Sequence, residues 1–309
     1  MKRLVDTCLI ALVSVAIVRA EAPAFSDPEP PKVNALPAAA APKSIAYKRV
    51  TFHRAPSPLS PKARTQAWTC FLGPNHNGVS NETHVQKAWP KEGPRPVWEL
   101  AAGDGYASPA VRFPYLVYPH RIENRVVVEC LHAETGASFW QHSFPTQYRD
   151  RLGYSNGPRA TPLIDGDRVY IYSAEGLLIC LQLESGRVFW QRNLQKEFKV
   201  PQDFFGAVGT PLLSGDLLVI NVGAPKGPTV AAFNKLTGRM VWGAGKQWGP
   251  SYASPIPATF HGKQRVLVFA GGESMPPTGG LMMIDPTNGR LDFSFPWRSR
   301  KYELSLIHI

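Results

Sequence analysis

Residues 180–194 read CLQLESGRVFWQRNL, and two further stretches of the chain repeat the same phrase. Residues 130–144 read CLHAETGASFWQHSF, and residues 232–246 read AFNKLTGRMVWGAGK. Every copy begins with apolar residues, passes through a short turn that ends on glycine, and continues into a run that contains tryptophan. A phrase that recurs in this way is typical of a repeated structural unit rather than of a single catalytic site.

The repeat has a regular period and two markers. One marker is the turn glycine, found at Gly136, Gly186, Gly238 and Gly289, at spacings of 50, 52 and 51 residues. Four residues after each glycine stands a large aromatic residue, namely Trp140, Trp190, Trp242 and Phe293. The second marker is an upstream Ser-Pro or Thr-Pro pair, at residues 108–109, 161–162, 210–211 and 254–255. The two markers occur together four times, which indicates four copies of one unit of about 50 residues.

Each unit divides into four short strands. In the second unit these are ATPLIDG, DRVYIYS, GLLICLQL and RVFWQRNL, separated by Asp-Gly, Glu-Gly and Ser-Gly pairs. Glycine suits such hairpins because it adopts positive φ without steric cost. Four antiparallel strands in about 50 residues predict the blade of an all-β propeller, and a long solenoid of strands is the alternative. We place the units at residues 101–142, 143–192, 193–244 and 245–295.

The glycine and the tryptophan of the phrase have a structural role in such a blade. The glycine forms the turn before the outermost strand, and the tryptophan lies on that strand facing a neighbouring blade. A buried tryptophan removes about 150–250 Å² from water, enough to hold one blade seam together. Trp98, in the earlier stretch PVWEL, has the same docking role in a lead-in strand. Cys130 and Cys180 occupy one position in two copies, which favours small buried residues over a disulfide bridge.

The phrase, seen as CLHAETGASFW, CLQLESGRVFW and AFNKLTGRMVW, is similar to the tryptophan-docking repeat of pyrroloquinoline quinone (PQQ)-like β-propellers. The lead-in segments WTCFLGPNHNGVSNET, WPKEGPRPVWEL and GDGYASPAV resemble an exported bacterial subfamily with such repeats. The resemblance covers residues 68–302 and implies rings of about seven or eight blades, of which about four are present here. It therefore implies the N-terminal part of a longer protein. The superfamily contains both quinoprotein alcohol dehydrogenases and non-enzymatic scaffolds.

The N-terminus has the pattern of a secretory signal peptide. Lys2 and Arg3 precede an apolar run over residues 9–18, and the stretch VRA ends at Ala20. The run is short for a membrane span, which needs roughly 20 apolar residues. We therefore predict a signal peptide over residues 1–20 and an exported protein of the periplasm or cell envelope. An uncleaved N-terminal anchor is the alternative.

The predicted partial propeller, residues 67–302, is flanked by two segments of different character. Residues 21–66 are rich in proline and alanine and have no apolar period, which predicts a disordered tether. Residues 303–309 match nothing in the repeat. They contain LSLIHI, which resembles a translated sequencing-adapter tail, so we predict a non-native end there. A genuine terminal strand is the alternative.

Known catalytic and metal-binding motifs are absent from the sequence. The dehydrogenases of the resembled superfamily use a catalytic aspartate, PQQ and calcium, and no position of this chain can be matched to that aspartate or to the calcium ligands. The acids Asp165, Asp167 and Asp216 lie in hairpin turns, where turn chemistry explains them. His132 and His142 flank the first copy, but the second copy replaces both, so we predict no metal site. PQQ and calcium are candidate cofactors only because the resembled family is named for PQQ and its dehydrogenases use both.

The loops before the Ser-Pro and Thr-Pro markers are the best candidates for a site. They read GDGYASP, SNGPRATP, FFGAVGTP and WGPSYASP. They lead into the innermost strand of each blade, so we expect them to gather at one mouth of the central channel. Their variable residues on a constant Gly and Pro framework are Tyr106, Arg159, Phe205 and Tyr252. Variable tips on a fixed frame predict a binding face, and ordinary loop packing is the alternative.

These observations favour an exported binding or scaffold module without catalytic residues, and the alternative is a PQQ-dependent alcohol or sugar dehydrogenase. The formal net charge is +11, with lysine and arginine scattered along the chain. This charge fits weak attraction to anionic polysaccharide and gives a third hypothesis, a polysaccharide-processing accessory protein. We expect envelope proteins or polysaccharide as partners and no nucleic acid. We also expect no transmembrane span in the mature chain, and a monomer.

Overall fold

The computed structural model describes residues 25–202, 205–271 and 278–297. The predicted signal peptide, residues 1–20, and the predicted tail, residues 303–309, lie outside these ranges. The described residues form β-strands and one short helix, α1 (Leu194–Phe198). Within the described ranges, no helix has the length and apolar character needed to cross a membrane.

The strands pair in chain order. A small antiparallel sheet joins β1 (Val50–Phe52) to β2 (Trp98–Leu100). Four antiparallel sheets of four strands follow, here called blades 1 to 4. Blade 1 consists of β3 (Ala110–Arg112), β4 (Tyr115–Ile122), β5 (Arg125–His132) and β6 (Ser138–Pro145). Blade 2 consists of β7 (Leu163–Asp165), β8 (Arg168–Tyr172), β9 (Leu177–Gln182) and β10 (Val188–Asn193). Blade 3 consists of β11 (Leu212–Ser214), β12 (Leu217–Asn221), β13 (Val230–Asn234) and β14 (Met240–Ala244). Blade 4 consists of β15 (Ile256–Phe260), β16 (Lys263–Ala270), β17 (Gly280–Ile284) and β18 (Leu291–Pro296).

The prediction of four-stranded propeller blades is confirmed. Each predicted unit corresponds to one sheet, whose last strand ends at most three residues beyond the predicted end of the unit. In every sheet, each strand pairs with the strand next to it in the chain. The three hairpins of blade 2 turn at the glycines of the predicted pairs, Gly166, Gly176 and Gly186, with φ values of 55°, 73° and 68°. Positive φ is the conformation that glycine alone adopts without strain, so the local sequence dictates where each strand ends.

The third and fourth strands of every blade share one irregularity. Their register shifts at a β-bulge beside the repeated phrase in each of the four sheets. Cys130 and Cys180 lie directly opposite Trp140 and Trp190 at this point. Both cysteines are fully buried free thiols. Burial raises the pKa of both thiols, that of Cys180 to about 12, so neither is poised for reaction.

Each docking tryptophan packs onto the turn glycine of the next blade along the chain. A Cβ atom on Gly186 would come within 2.5 Å of Cε3 of Trp140. The indole N–H of Trp140 donates to the carbonyl of Leu183 over 2.7 Å. The pairs that share this packing are Trp98 with Gly136, Trp140 with Gly186, Trp190 with Gly238, and Trp242 with Gly289. The other three indoles donate to the carbonyls of Ala133, Lys235 and Pro286, at 3.1, 3.1 and 2.9 Å.

The hydrophobic cores lie between blades. One cluster joins Val128 and Trp140 of blade 1 to Ile171 of blade 2, and equivalent clusters join blades 2 and 3 and blades 3 and 4. Trp190 is fully buried in the middle seam. Phe293, the aromatic residue of the fourth copy, is 40% exposed on β18. Among the described residues no blade follows blade 4, so the docking role of Phe293 stays a prediction.

Residues 25–66 differ from the predicted disordered tether. Residues 50–52 form β1, Ile45 bridges to Ser138 of blade 1, and Asp27 forms an ion pair with Arg192 of blade 2. The structure therefore corrects the prediction over this part of the chain. Proline fixes φ near −65° and keeps the chain extended, so a proline-rich segment can lie along the edges of existing strands. Composition alone does not reveal such contacts, because single residues make them.

Candidate functional site

The connections between blades form one end of the structure. In an up-and-down four-stranded sheet, the connections between blades and those between the second and third strands lie at the same end. The turns marked by the repeat glycines lie at the opposite end. We call the first end the mouth end. The inter-blade connections there span residues 101–109, 146–162, 194–211 and 245–255.

The four residues predicted at the mouth lie together. The Cζ atom of Arg159 lies 4.9 Å from the ring centroid of Tyr106 and 4.7 Å from that of Phe205. The rings of Phe205 and Tyr252 are 5.1 Å apart between centroids. The backbone N–H of Phe205 also donates to the hydroxyl of Tyr252 over 3.3 Å. One continuous group of side chains therefore links all four of these connections.

A fifth member of the same group, the aromatic residue Tyr154, is not predicted from the sequence. Its ring centroid lies 6.3 Å from that of Phe205, and its carbonyl accepts the hydroxyl proton of Tyr106 over 3.4 Å. The exposed fractions of Tyr106 and Tyr154 are 59% and 66%. We call Tyr106, Tyr154, Arg159, Phe205 and Tyr252 the aromatic cluster. Its outer surface consists of the two exposed phenol rings.

A buried carboxylate, Asp150, organises the loop that carries Tyr154. Its Oδ1 atom accepts the N–H of Leu152 over 2.9 Å. Its Oδ2 atom accepts the N–H groups of Tyr154 and Ser155 at 3.1 and 3.0 Å. The same Oδ2 atom forms an ion pair of 2.7 Å with the guanidinium of Arg159. One side chain therefore fixes three backbone positions and one cluster member.

The electrostatics of Asp150 favour its ionised form. Burial by itself would raise the pKa of this carboxyl, but the N–H groups that it accepts and the Arg159 guanidinium outweigh that effect. The pKa of Asp150 consequently lies below its usual range. The signal in the sequence is an aspartate followed by a short polar and glycine-containing stretch, DRLGYS, which is typical of a side chain that caps its own loop.

A second buried side chain closes the loop at its base. Arg121, on β4 of blade 1, is 4% exposed. Its Nη1 group donates to the carbonyl of Tyr148 over 2.7 Å and to the carbonyl of Asn156 over 3.1 Å. These two carbonyls lie at the two ends of the Asp150 loop. Two sets of hydrogen bonds therefore hold the loop in place. Asp150 accepts bonds within the loop, and Arg121 on β4 donates to both of its ends.

The cluster members have different tasks. Arg159 is committed to Asp150, to the carbonyl of Ser155 at 3.2 Å, and to the two rings that it stacks on. It positions its neighbours, whereas Tyr106 and Tyr154 each leave more than half of their surface exposed to solvent. Rings of this kind bind apolar or aromatic groups of a partner and accept or donate hydrogen bonds at their edges. The arrangement suits binding, and none of its members is set up as a nucleophile beside a base.

Across residues 25–202, 205–271 and 278–297, no three His, Cys, Asp or Glu side chains form a group that could hold a metal ion. Asp165 and Asp216 instead share the ammonium of Lys235, at 2.9 and 3.3 Å. Those two acids therefore neutralise a lysine at the end opposite the mouth.

Comparison with known protein families places the chain among PQQ-like propeller proteins. The sequence model of the family described as outer membrane protein assembly factor BamB matches residues 124–301. A comparison with curated proteins finds no significant match.

Three solved structures are similar in fold. A europium-containing methanol dehydrogenase is 12% identical with a TM-score of 0.46, over 63% of this chain and 42% of its own. BamB from Moraxella catarrhalis is 23% identical with a TM-score of 0.41, over 62% of this chain and 51% of its own. The quinohemoprotein alcohol dehydrogenase ADHIIG from Pseudomonas putida HK5 is 15% identical with a TM-score of 0.45, over 64% of this chain and 34% of its own. The chain thus spans between about a third and a half of the length of these proteins.

Proposed function

The chain belongs to the family described as outer membrane protein assembly factor BamB, and from this premise we propose that it is an exported binding or scaffold module of the cell envelope. In this proposal the chain carries out no catalysis of its own. The blades supply a rigid frame, and the loops at the mouth end supply the contacts. The predicted signal peptide and the family description both support a place in the envelope.

The observation that carries this proposal is the aromatic cluster. Tyrosine and arginine dominate the energetic centres of protein–protein interfaces, because they combine large contact areas with hydrogen-bonding groups. Tyr106 and Tyr154 are largely exposed, and the second lies on a loop that Asp150 and Arg121 hold in place. A loop that is ordered before binding loses little conformational entropy when a partner arrives. The cluster therefore supports a binding role for the mouth end.

We propose an envelope protein as the partner. The family description names a factor of outer-membrane protein assembly, and such a factor acts by contacting other proteins. Anionic polysaccharide is the other candidate partner, because the chain carries a formal net charge of +11. The exposed phenol rings favour the protein, since a purely electrostatic attraction to polysaccharide needs no aromatic surface.

A capture experiment with a matched control tests the proposal. The full-length protein is tagged and recovered from solubilised envelopes of its source organism, as wild type and as the double variant Tyr106→Ala/Tyr154→Ala. The control is Phe113→Ala/Phe260→Ala, which removes two exposed aromatic rings at the opposite end. We expect a discrete envelope protein to accompany the wild type and the control, and its yield to fall at least tenfold with the mouth variant, as for a lost interface centre.

Three outcomes would contradict the proposal. Equal recovery of the same protein by all three forms would show that the mouth end does not contribute to the interaction. Reduction of an electron-acceptor dye with alcohols or sugars, after addition of PQQ and calcium, would show a dehydrogenase instead of a scaffold. Recovery of polysaccharide alone, unaffected by the mouth variant, would favour the accessory-protein hypothesis.

A further inference from the structure

The segment of residues 25–47, here called the strap, runs across the outer corners of three blades. It begins beside blade 3, passes blade 2 and ends on blade 1, so it runs against the order of the blades in the chain. Single residues along it reach buried groups of each blade in turn. These contacts have the character of recognition, since each satisfies a specific donor, acceptor or charge.

The first contact is electrostatic. The side chain of Arg192, on β10 of blade 2, is 1% exposed, and its Nη2 group lies 2.7 Å from Oδ1 of Asp27. The other oxygen of Asp27 accepts the backbone N–H of Met240, at the start of β14, over 2.7 Å. A buried guanidinium is costly unless its charge is compensated. The carboxylate of Glu197 on α1 also pairs with this guanidinium, so Asp27 supplies a second carboxylate. Through its bond to Met240, Asp27 also joins blades 2 and 3.

The middle of the strap pairs with backbone and side-chain groups of blade 2. The backbone N–H of Asn34 donates to the carbonyl of Phe189 over 2.7 Å, and its side-chain amide donates to the carbonyl of Val188 over 2.9 Å. The carbonyl of Pro37 accepts the amide of Gln182, a residue only 3% exposed, over 3.0 Å. Outermost strands leave such groups unpaired along their free edge. The strap covers part of that edge.

The last contact is a buried hydrogen-bond chain in blade 1. The hydroxyl of Tyr47 donates to Oε1 of Glu129 over 2.7 Å, and Nε2 of His120 lies 3.2 Å from the same oxygen. Glu129 and His120 are fully buried. Two residues earlier, Ile45 exchanges two backbone hydrogen bonds of 2.9 Å with Ser138. Without the strap, Glu129 would lose one of its two partners.

Glycines of blade 3 make room for the apolar part of the strap. A Cβ atom on Gly243 would come within 2.7 Å of the ring of Phe25, and a Cβ atom on Gly238 would come within 2.8 Å of Pro31. Gly238 thus receives Trp190 from blade 2 and a strap proline at once. The surface under the strap is shaped to accept rings.

We propose that the outer corners of blades 1 to 3 form a binding groove for an extended, proline-containing peptide, and that the strap of this same chain occupies it as an intramolecular ligand. The recognised features are an acidic residue for Arg192, an extended backbone for β10 and β6, and a tyrosine hydroxyl for Glu129. The groove lies away from the aromatic cluster, so this inference is independent of the proposed function.

Protease protection in the full-length chain tests the proposal. Lys32 and Lys43 lie inside the strap and offer trypsin two cleavage sites. We expect cleavage there to be at least tenfold slower than in the isolated peptide of residues 25–52, because a bound segment must open before it is cut. Asp27→Ala and Tyr47→Phe should each remove most of this protection. Glu29→Ala is the matched control, since Glu29 is an exposed strap residue.

A second measurement keeps the test decisive if the variants fold poorly. A site for a specific protease is inserted between the exposed residues Pro58 and Leu59, and the folded full-length protein is cut there. We expect the N-terminal fragment to co-elute with the blades and to be displaced by excess peptide of residues 25–52. Immediate separation of the fragment, or cleavage at Lys32 and Lys43 as fast as in the free peptide, would overturn the proposal.

Discussion

The seams between blades and the loops at the mouth end differ in how much their residues vary from one repeat to the next. At every seam the same two residues meet: a tryptophan from one blade and a glycine at positive φ from the next. At the mouth, the equivalent positions carry residues that differ from one connection to the next, namely Tyr106, Arg159, Phe205 and Tyr252. Repetition at the seams gives a stable frame, and variation at the mouth gives one particular surface. Changes at the two places should therefore have separable effects on stability and on binding.

The largest effect on stability is expected at a seam. Trp190→Ala should lower the free energy of unfolding by about 3–5 kcal/mol, because it empties a fully buried site between blades 2 and 3. Denaturant titration of the full-length protein measures this loss. Trp89→Ala is the matched control, since Trp89 is 57% exposed and should change the value by at most about 0.5 kcal/mol. Similar denaturation midpoints for the two variants would show that the seam does not determine the stability of the protein.

A smaller effect separates the steric part of docking from backbone strain. Gly186 and Gly166 both have positive φ, but only Gly186 faces an indole, whereas a Cβ atom on Gly166 would meet nothing within 4 Å. Gly186→Ala should therefore destabilise the protein by roughly 1–3 kcal/mol more than Gly166→Ala. Thermal unfolding of the two variants checks the difference. Equal losses would mean that glycine serves only the turn.

At the mouth, Asp150→Asn should have a local effect with a defined pH dependence. The pKa of Asp150 is lowered in the folded protein, so its contribution is fully present above the unfolded pKa of about 3.9 and is lost as pH falls through the lower folded value. The variant should lose about 1–2 kcal/mol at pH 7 and approach the wild type in strong acid. Hydrogen exchange at Leu152, Tyr154 and Ser155 should accelerate. Unchanged exchange at all three amides would contradict the role given to Asp150.

The smallest effect on stability is expected for Tyr106→Ala/Tyr154→Ala. Both side chains are mostly exposed, so the free energy of unfolding should change by no more than about 0.5 kcal/mol per residue. Thermal unfolding under the conditions of the capture experiment measures it. A loss as large as that of Trp190→Ala would make the cluster part of the frame, and the distinction between seam and mouth would fail.

The frame is readable from the sequence because its rules are local and repeated. The spacing from Gly186 to Trp190 recurs in other copies, and each copy places a turn and a strand in the same order. The gathering of Tyr106, Arg159, Phe205 and Tyr252 could be expected for the same reason, since blade topology alone brings those connections to one end. Contact between their side chains could not be derived, because it depends on loop conformation.

The remaining features were hidden because single long-range contacts create them. Asp150 organises its loop through backbone N–H groups, and Arg121 reaches that loop from another strand. The strap has the composition of a free linker, yet Asp27 and Tyr47 supply partners to Arg192 and Glu129, which lie far along the chain. Periodicity and composition average over such residues, so neither can indicate where a lone aspartate or tyrosine will bind.

Site-specific photocrosslinking in the living envelope tests the central claim most directly. p-Benzoyl-phenylalanine replaces Tyr106, Tyr154 or, as a control, Phe260, which is 43% exposed on β15 at the end opposite the mouth. The account predicts one common crosslinked envelope protein from positions 106 and 154 and none of it from position 260. Crosslinks to that protein from position 260 but not from the mouth would contradict the assignment of binding to the aromatic cluster.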